Sequence, residues 1–179
     1  MATDLDVLGK LGDALKREQS TSKPDPWIGS RFQWLRHEPP PRKGAIGKEM
    51  FKRWAQLAGF DVSPPPAPSE SDYLVDGLPV IVKFGLRWAN GTMVFEQIKN
   101  RGYAAGALLG LEPDNVHLWV VPRRVLWRAS AEQHGPETRW LRIRPSQPPP
   151  VLAPFGDTLA AAEASLRSLL EEAGGKAGR

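Results

Sequence analysis

Asp72 and Lys83 are the two side chains whose types and spacing point most directly to chemistry. They lie in the segment SDYLVDGLPVIVKF, in which two strand-forming runs flank Asp76-Gly77, a dipeptide favoured in two-residue hairpin turns. Such a turn pairs Asp72 with Ile81, and side chains alternate between the two faces of a strand. The sequence therefore predicts that Asp72, Ile81 and Lys83 share one face of a β-hairpin.

A carboxylate beside a lysine suits the hydrolysis of a phosphodiester. That reaction needs a divalent cation, which neutralises phosphate charge and lowers the pKa of bound water. Mg²⁺ prefers carboxylate oxygens and keeps several of its waters, and Mn²⁺ can take its place. A lysine next to such carboxylates orients or stabilises the attacking hydroxide. The alternative is a solvent-facing Asp72, or a cross-strand ion pair that serves stability alone, although such pairs contribute little.

Three short motifs occur in the order found in a nuclease superfamily. They are Gly47-Lys48-Glu49 on a predicted helix, Ser71-Asp72-Tyr73, and Val82-Lys83-Phe84. With these motifs the chain resembles the PD-(D/E)xK, or restriction-endonuclease-like, nucleases. The longer string KFGLRW…FEQIKNRGY…LLGLEPDNVHLWVVPRRVL is similar to small bacterial restriction-endonuclease-like proteins, whose pattern runs E-x-K-F-S-x-L-W, F-Q-Q-I-R-x-Q-x-Y and L-G-x-x-P-x-x-x-H-x-W-V-x-P-K. The resemblance covers about residues 31–127.

This resemblance implies an α/β fold with a restriction-endonuclease-like mixed central sheet flanked by helices. It also implies a Mg²⁺-dependent endonuclease, of the type II restriction-like kind, that acts on double-stranded DNA. Asp72 would ligate the metal, and Lys83 would position the nucleophilic water. Because cutting both strands usually needs two active sites, a homodimer is plausible.

One position departs from the superfamily pattern. The pattern carries an acid two residues before the lysine, where this chain has Ile81, which cannot bind a metal. Glu96 replaces the first Gln of F-Q-Q, and some members of the superfamily carry their second acid on a helix there. We therefore expect Glu96 to be the second metal ligand. Two alternatives stay open: a catalytically inactive nuclease fold that binds DNA, and an unrelated scaffold protein with a solvated Glu96.

Further site residues follow from the same resemblance and from charge. Glu49 would contact the metal through water or support a second metal, unless it is a solvated helix residue. Gln97 would contact DNA or the active-site backbone. Lys99 would contact a phosphate or pair with Glu96, one helical turn earlier. Arg142 and Arg144 alternate with apolar residues on a strand, which predicts a basic face that contacts DNA.

The elements that must position these residues follow from periodicity and turn residues. Helices are predicted at 3–17, at 45–58 followed by Gly59, at 90–101, from Pro122, and from an Asp157 cap to Gly174-Gly175, with a break at Pro39-Pro40-Pro41. Strands are predicted in the hairpin, at 104–111, at 116–121 and in the alternating TRWLRIR. This order indicates a mixed α/β fold with an antiparallel start and a parallel crossover through the 90–101 helix.

Composition limits the remaining classes of function. The chain has 179 residues and no cysteine, which excludes disulfides, thiol catalysis and cysteine-ligated zinc. The N-terminus does not resemble a signal peptide, and no stretch approaches the roughly 18 apolar residues of a membrane helix, so we expect a cytoplasmic protein without membrane contact. The net charge is +4, and the basic segments 31–53 and 122–145 are expected to bind phosphates. We divide the chain into an N-terminal helix and linker (1–30), a nuclease-like domain (31–173) and a disordered tail (174–179).

Overall fold

The computed structural model describes residues 8–11, 13–15, 25–132 and 135–177. Its α-helices are α1 (Pro40–Leu57), α2 (Arg123–Ala129) and α3 (Leu159–Ala177), and two 3-10 helices span Gln33–His37 and Pro150–Phe155. Its strands are β1 (Val62–Ser63), β2 (Tyr73–Val75), β3 (Leu78–Leu86), β4 (Met93–Ile98), β5 (Ala105–Leu111), β6 (Val116–Pro122), β7 (Ala131–Glu132) and β8 (Arg139–Ile143). Residues 8–11 and 13–15 are helical, and the rest of the helix predicted at 3–17 lies outside the described residues.

The strands form one large and one small sheet. The large sheet has the order β1-β2-β3-β5-β6, and β3 and β5 run parallel while its other neighbours are antiparallel. The small sheet is antiparallel, with the order β4-β8-β7. The predicted mixed α/β fold, its antiparallel start and its parallel crossover are therefore confirmed.

The element that makes the crossover is not the predicted one. Residues 90–101 were expected to form a helix, but they contain strand β4, which pairs with β8. A bulge, with Gln97 at φ +55°, lies between Phe95 and Ile98, and both of these side chains are buried. One extra residue in a strand turns two apolar residues three positions apart toward the same side. That spacing imitates the helical period, which is why the sequence pattern misled the prediction.

The large sheet separates two apolar layers. On one face, β3 contributes Val80 and Val82 to a cluster with α1 and α3. On the other face, Ile81 packs with the small sheet and α2. Alternation along β3 therefore sends even-numbered residues toward the helices and odd-numbered residues, Lys83 among them, toward the small sheet.

The helix ends differ from the predicted ones. Helix α1 begins at Pro40. The first N–H groups of a helix have no acceptor within the helix, so proline, which lacks a backbone N–H, is well suited to these positions. The proline run therefore opens the helix instead of ending the segment before it. Thr158 caps α3 instead of Asp157, since its Oγ1 accepts from the backbone N–H of Ala161 at 3.1 Å. Helix α3 also continues through Gly174-Gly175 to Ala177. None of the helices in the described ranges is both long and apolar enough to cross a membrane.

The packed domain begins before residue 31. Trp27 is buried and packs with Leu35 and Leu111 at the end of β5. A residue that the sequence assigned to the linker therefore belongs to the core.

Candidate active site

The β2–β3 hairpin fixes the carboxylate of Asp72. Tyr73 pairs with Val80 across the two-residue turn Asp76-Gly77, whose φ angles of +45° and +82° suit a primed turn, so the predicted register is confirmed. The backbone N–H of Asp72 donates to the carbonyl of Val80 at 2.9 Å. Beyond that last pair, Asp72 Oδ2 accepts from the N–H of Val82 at 2.7 Å. The side chain thus continues the ladder of hydrogen bonds at the residue before strand β2 begins.

Asp72, Ile81 and Lys83 line one pocket, as their shared face predicted. This Asp72 pocket has a volume of about 240 Å³ and is lined by Lys48, Glu70, Asp72, Ile81, Lys83, Gln97, Lys99, Arg101 and Tyr103. Its lining contains four basic side chains and two carboxylates. The pocket therefore carries an excess of positive charge.

Lys83 is held between β3 and the bulge of β4. Its Nζ donates to the backbone carbonyl of Gln97 at 2.8 Å. Burial lowers the pKa of Lys83 below its ordinary value, the charge of Asp72 raises the pKa, and Lys48 and Lys99 lower it further. The bulge that upset the helix prediction thus provides the acceptor that orients this ammonium group.

Lys48 reaches Asp72 from helix α1. A side chain added at Gly47 would collide with the ring of Phe84 on β3. Because glycine has no side chain, α1 can lie close against the sheet. From there Lys48 Nζ pairs with Asp72 Oδ1 at 2.6 Å. Both oxygens of Asp72 are therefore engaged, one by an ammonium group and one by a backbone N–H.

Glu70 is the second carboxylate of the Asp72 pocket. Arg101 Nε donates to both of its oxygens at 3.1 Å, and Lys99 Nζ lies 3.5 Å from Oε1. The sequence prediction missed Glu70, although it stands two residues before Asp72, and residues two apart in an extended chain point the same way. Lys99, for which a phosphate contact or a pair with Glu96 was expected, lies against Glu70.

The structure does not bring Glu96 or Glu49 into the Asp72 pocket. Glu96 follows buried Phe95 on strand β4 and not on a helix. Its side chain is exposed and does not line the pocket. Glu49 is exposed on α1 and pairs with Arg53 at 2.8 Å and with Lys52 at 3.9 Å. The hydrogen bond from Arg53 lowers the pKa of Glu49, with a smaller contribution from the charge of Lys52. Of the three predicted carboxylates, Asp72 alone lies in the pocket.

The predicted DNA-contacting residues fall into two groups. Gln97 and Lys99 line the Asp72 pocket. Arg142 and Arg144 are exposed and line a separate depression beside the small sheet. The guanidinium of Arg142 lies over the ring of Trp140, 4.8 Å from its centroid.

The oxygen donors of the Asp72 pocket meet the minimum for Mg²⁺. Proteins bind this ion through one or two carboxylates together with water and substrate phosphates, and Asp72 and Glu70 provide two. Among the described residues no group of three or more His, Cys, Asp or Glu side chains could hold a metal. The donor set therefore fits a cation that also takes oxygens from a phosphate, and it does not form a closed protein site.

Comparisons with known proteins identify the fold. No family model and no curated protein matches this sequence. The structure is similar to that of the bacterial homing endonuclease I-Ssp6803I, with a TM-score of 0.51 and 18% sequence identity. The similarity covers 79% of this chain and 99% of that chain. This protein therefore has a mixed α/β fold, with a five-stranded sheet and flanking helices, that is similar to an endonuclease fold.

Proposed function

We propose that this chain is a metal-dependent endonuclease that hydrolyses phosphodiester bonds of double-stranded DNA at the Asp72 pocket. One observation carries the proposal: Asp72, Glu70 and Lys83, two carboxylates and a lysine, line a single pocket. The likeness in fold to a protein named as a homing endonuclease supports it. A restriction-like role, with a homodimer cutting both strands, is the form of the activity that the sequence resemblance favours.

Asp72 and Glu70 would hold Mg²⁺ or Mn²⁺, which supplies charge neutralisation and a more acidic bound water. Lys83, whose Nζ is fixed by the Gln97 carbonyl, would donate a hydrogen bond to the attacking oxygen. Lys48 and Arg101 pair with the two carboxylates when DNA is absent, and phosphate oxygens would become their partners when it binds. The excess positive charge of the pocket thus attracts the backbone that is to be cut.

The choice of carboxylate is tested by two matched substitutions. Supercoiled plasmid is incubated with Mg²⁺ or Mn²⁺ and wild type, Glu70→Gln or Glu96→Gln. Glu70→Gln should cut much more slowly, whereas Glu96→Gln, which changes an exposed glutamate outside the pocket, should cut like wild type. The reverse pattern would restore Glu96 as the second ligand, and a wild type that never nicks DNA with either metal would refute the endonuclease.

A second candidate function is DNA binding without cleavage. Ile81 stands at the usual position of an acid, and the ammonium group of Lys48 already lies on Asp72. Both observations favour a nuclease fold that has lost its metal. Retardation of duplex DNA on a gel, together with no cutting under any metal condition, would select this candidate.

A further inference from the structure

A second and larger cavity adjoins the Asp72 pocket. This Arg123 cavity has a volume of about 930 Å³, and its lining includes Tyr103, Arg123, Arg124, Phe155 and Glu172. Tyr103 also lines the Asp72 pocket, so one side chain belongs to the walls of both. The two cavities are therefore neighbours at Tyr103.

The two arginines of this cavity have no polar partner within the described part of the chain. Arg123 and Arg124 are exposed, and neither side chain has an ion pair or hydrogen bond with the described residues. In the Asp72 pocket, by contrast, Lys48 and Arg101 are each paired with a carboxylate. A guanidinium group binds phosphate through two parallel hydrogen bonds, so two free ones at a concave surface attract an anion.

Tyr103 provides an independent sign of a missing partner. The residue is 5% exposed, and its buried hydroxyl has no hydrogen-bond partner among the residues that the structure describes. Tyr103 and Arg123 line the same cavity. Burial raises the pKa of Tyr103 to about 12, and the positive charge of Arg123 opposes that rise. A phosphate oxygen held by Arg123 would therefore lie near a phenol that lacks an acceptor.

We infer that the Arg123 cavity is a second phosphate subsite, in which Arg123 and Arg124 bind the nucleic-acid backbone next to the phosphate at the Asp72 pocket. The inference rests on the proposed function, because it takes the same DNA as ligand. A polymer is favoured over free phosphate, since the cavity exceeds the volume of the Asp72 pocket several-fold and shares Tyr103 with its lining. Glu172 also lines the cavity, and the negative charge of its carboxylate weakens the binding of an anion there.

Binding measured without cleavage tests the subsite. A fluorescent DNA duplex is titrated in EDTA at several salt concentrations with wild type, Arg123→Ala/Arg124→Ala and, as control, Arg167→Ala. Arg167 is exposed on helix α3, does not line the cavity and lies outside both basic segments. The double variant should bind more weakly, and the slope of log K against log salt should fall by about 1–2, roughly one for each lost phosphate contact. Arg167→Ala should match wild type, and circular dichroism should give all three proteins the same fold.

Each outcome decides between the subsite and the proposed function. A double variant with the slope of Arg167→Ala overturns the subsite, even if wild type cuts plasmid. A reduced slope in a protein that never cuts supports the subsite and removes the endonuclease. Inorganic phosphate is titrated in parallel and should compete only weakly with the duplex. Strong competition would mean that the cavity takes free phosphate instead of a polymer, and a wild type that binds no DNA overturns both ideas.

Discussion

Two charged clusters in this molecule look alike in composition but differ in what they leave available. In the Asp72 pocket, Lys48 and Asp72 form an ion pair whose side chains are 43% and 19% exposed, and further cations surround it. In the second cluster, His117 is buried, its Nδ1 lies 2.7 Å from Asp157 Oδ1, and its Nε2 lies 3.7 Å from Glu112 Oε1. The first cluster can exchange its partners for a ligand, whereas the second is closed in the sense that both ring nitrogens of its buried imidazole already have protein partners.

The contacts of the His117 ring explain this closure. The ring lies parallel to that of Trp119, with centroids 5.6 Å apart, and Trp119 is fully buried. Asp157 lies against Nδ1 at 2.7 Å, and Asn115 Nδ2 lies 3.4 Å from Nε2, so each ring nitrogen has a protein partner. An acid–base pair at hydrogen-bond distance is therefore a poor guide to function unless the remaining donors and acceptors are also counted.

The largest expected effect lies in the Asp72 pocket. Asp72→Asn should lower the rate of plasmid cutting by about 10²- to 10³-fold, because the cation would lose an anionic ligand and with it part of the electrostatic stabilisation of the transition state. The melting temperature should change little, since the amide oxygen can still accept from Val82. A variant that cuts like wild type would contradict the assignment of this pocket.

The opposite result is expected in the closed cluster. His117→Ala should lower the free energy of unfolding by about 1.5–3 kcal/mol, the range for a hydrogen bond to a charged group, measured by urea denaturation. The folded fraction of this variant should cut plasmid at the wild-type rate. If His117→Ala lost cutting activity without losing stability, the second cluster would also take part in the reaction, and the contrast between the two clusters would be wrong.

A smaller effect should appear in the dependence of stability on pH. Since the pKa of Lys83 is lowered in the folded state, the unfolded chain binds more protons as pH rises through the folded pKa toward the ordinary value of about 10.4. Wild type should therefore gain stability relative to Lys83→Met across that window. A difference that stays constant from pH 7 to 10.5 in denaturant titrations would contradict the burial of this charge.

The smallest effect concerns the Lys48–Asp72 pair. Partly exposed ion pairs contribute about 0.2–1 kcal/mol, so Lys48→Gln should tighten Mn²⁺ binding to the DNA-free protein by about 1.4- to 5-fold. Electron paramagnetic resonance of free Mn²⁺ measures this directly. Lys52→Gln is the control, because Lys52 lies on the same helix and pairs with Glu49 outside the pocket. Equal affinities in all three proteins would show that Lys48 does not compete for the carboxylate.

The hairpin could be predicted because its determinants are local. Asp76-Gly77 specifies the turn, the turn specifies the register, and the register puts Asp72 and Lys83 on one face. The same alternation of side chains also predicts that Glu70, two residues before Asp72, lies on this face. Those parts of the site needed no knowledge of the rest of the chain.

The remaining errors came from tertiary contacts. The bulge at Gln97 gave β4 the apolar spacing of a helix, and the strand that results turns Glu96 away from the pocket. The choice between Lys48 and Glu49 depends on how α1 is rotated against the sheet. That rotation follows from the close approach of Gly47 to Phe84, two residues far apart in sequence.

The hydrogen bond from Val82 to Asp72 makes one backbone amide a reporter of the site. Because the Val82 N–H donates to a carboxylate and not to a carbonyl, its proton resonance depends on the charge and ligands of Asp72. Strand β3 is paired on both sides nearby and is covered by apolar layers on both faces. This amide should therefore exchange slowly with solvent and remain visible at high pH. Its chemical shift offers a direct reading of ion or phosphate occupancy in a protein that need not turn over.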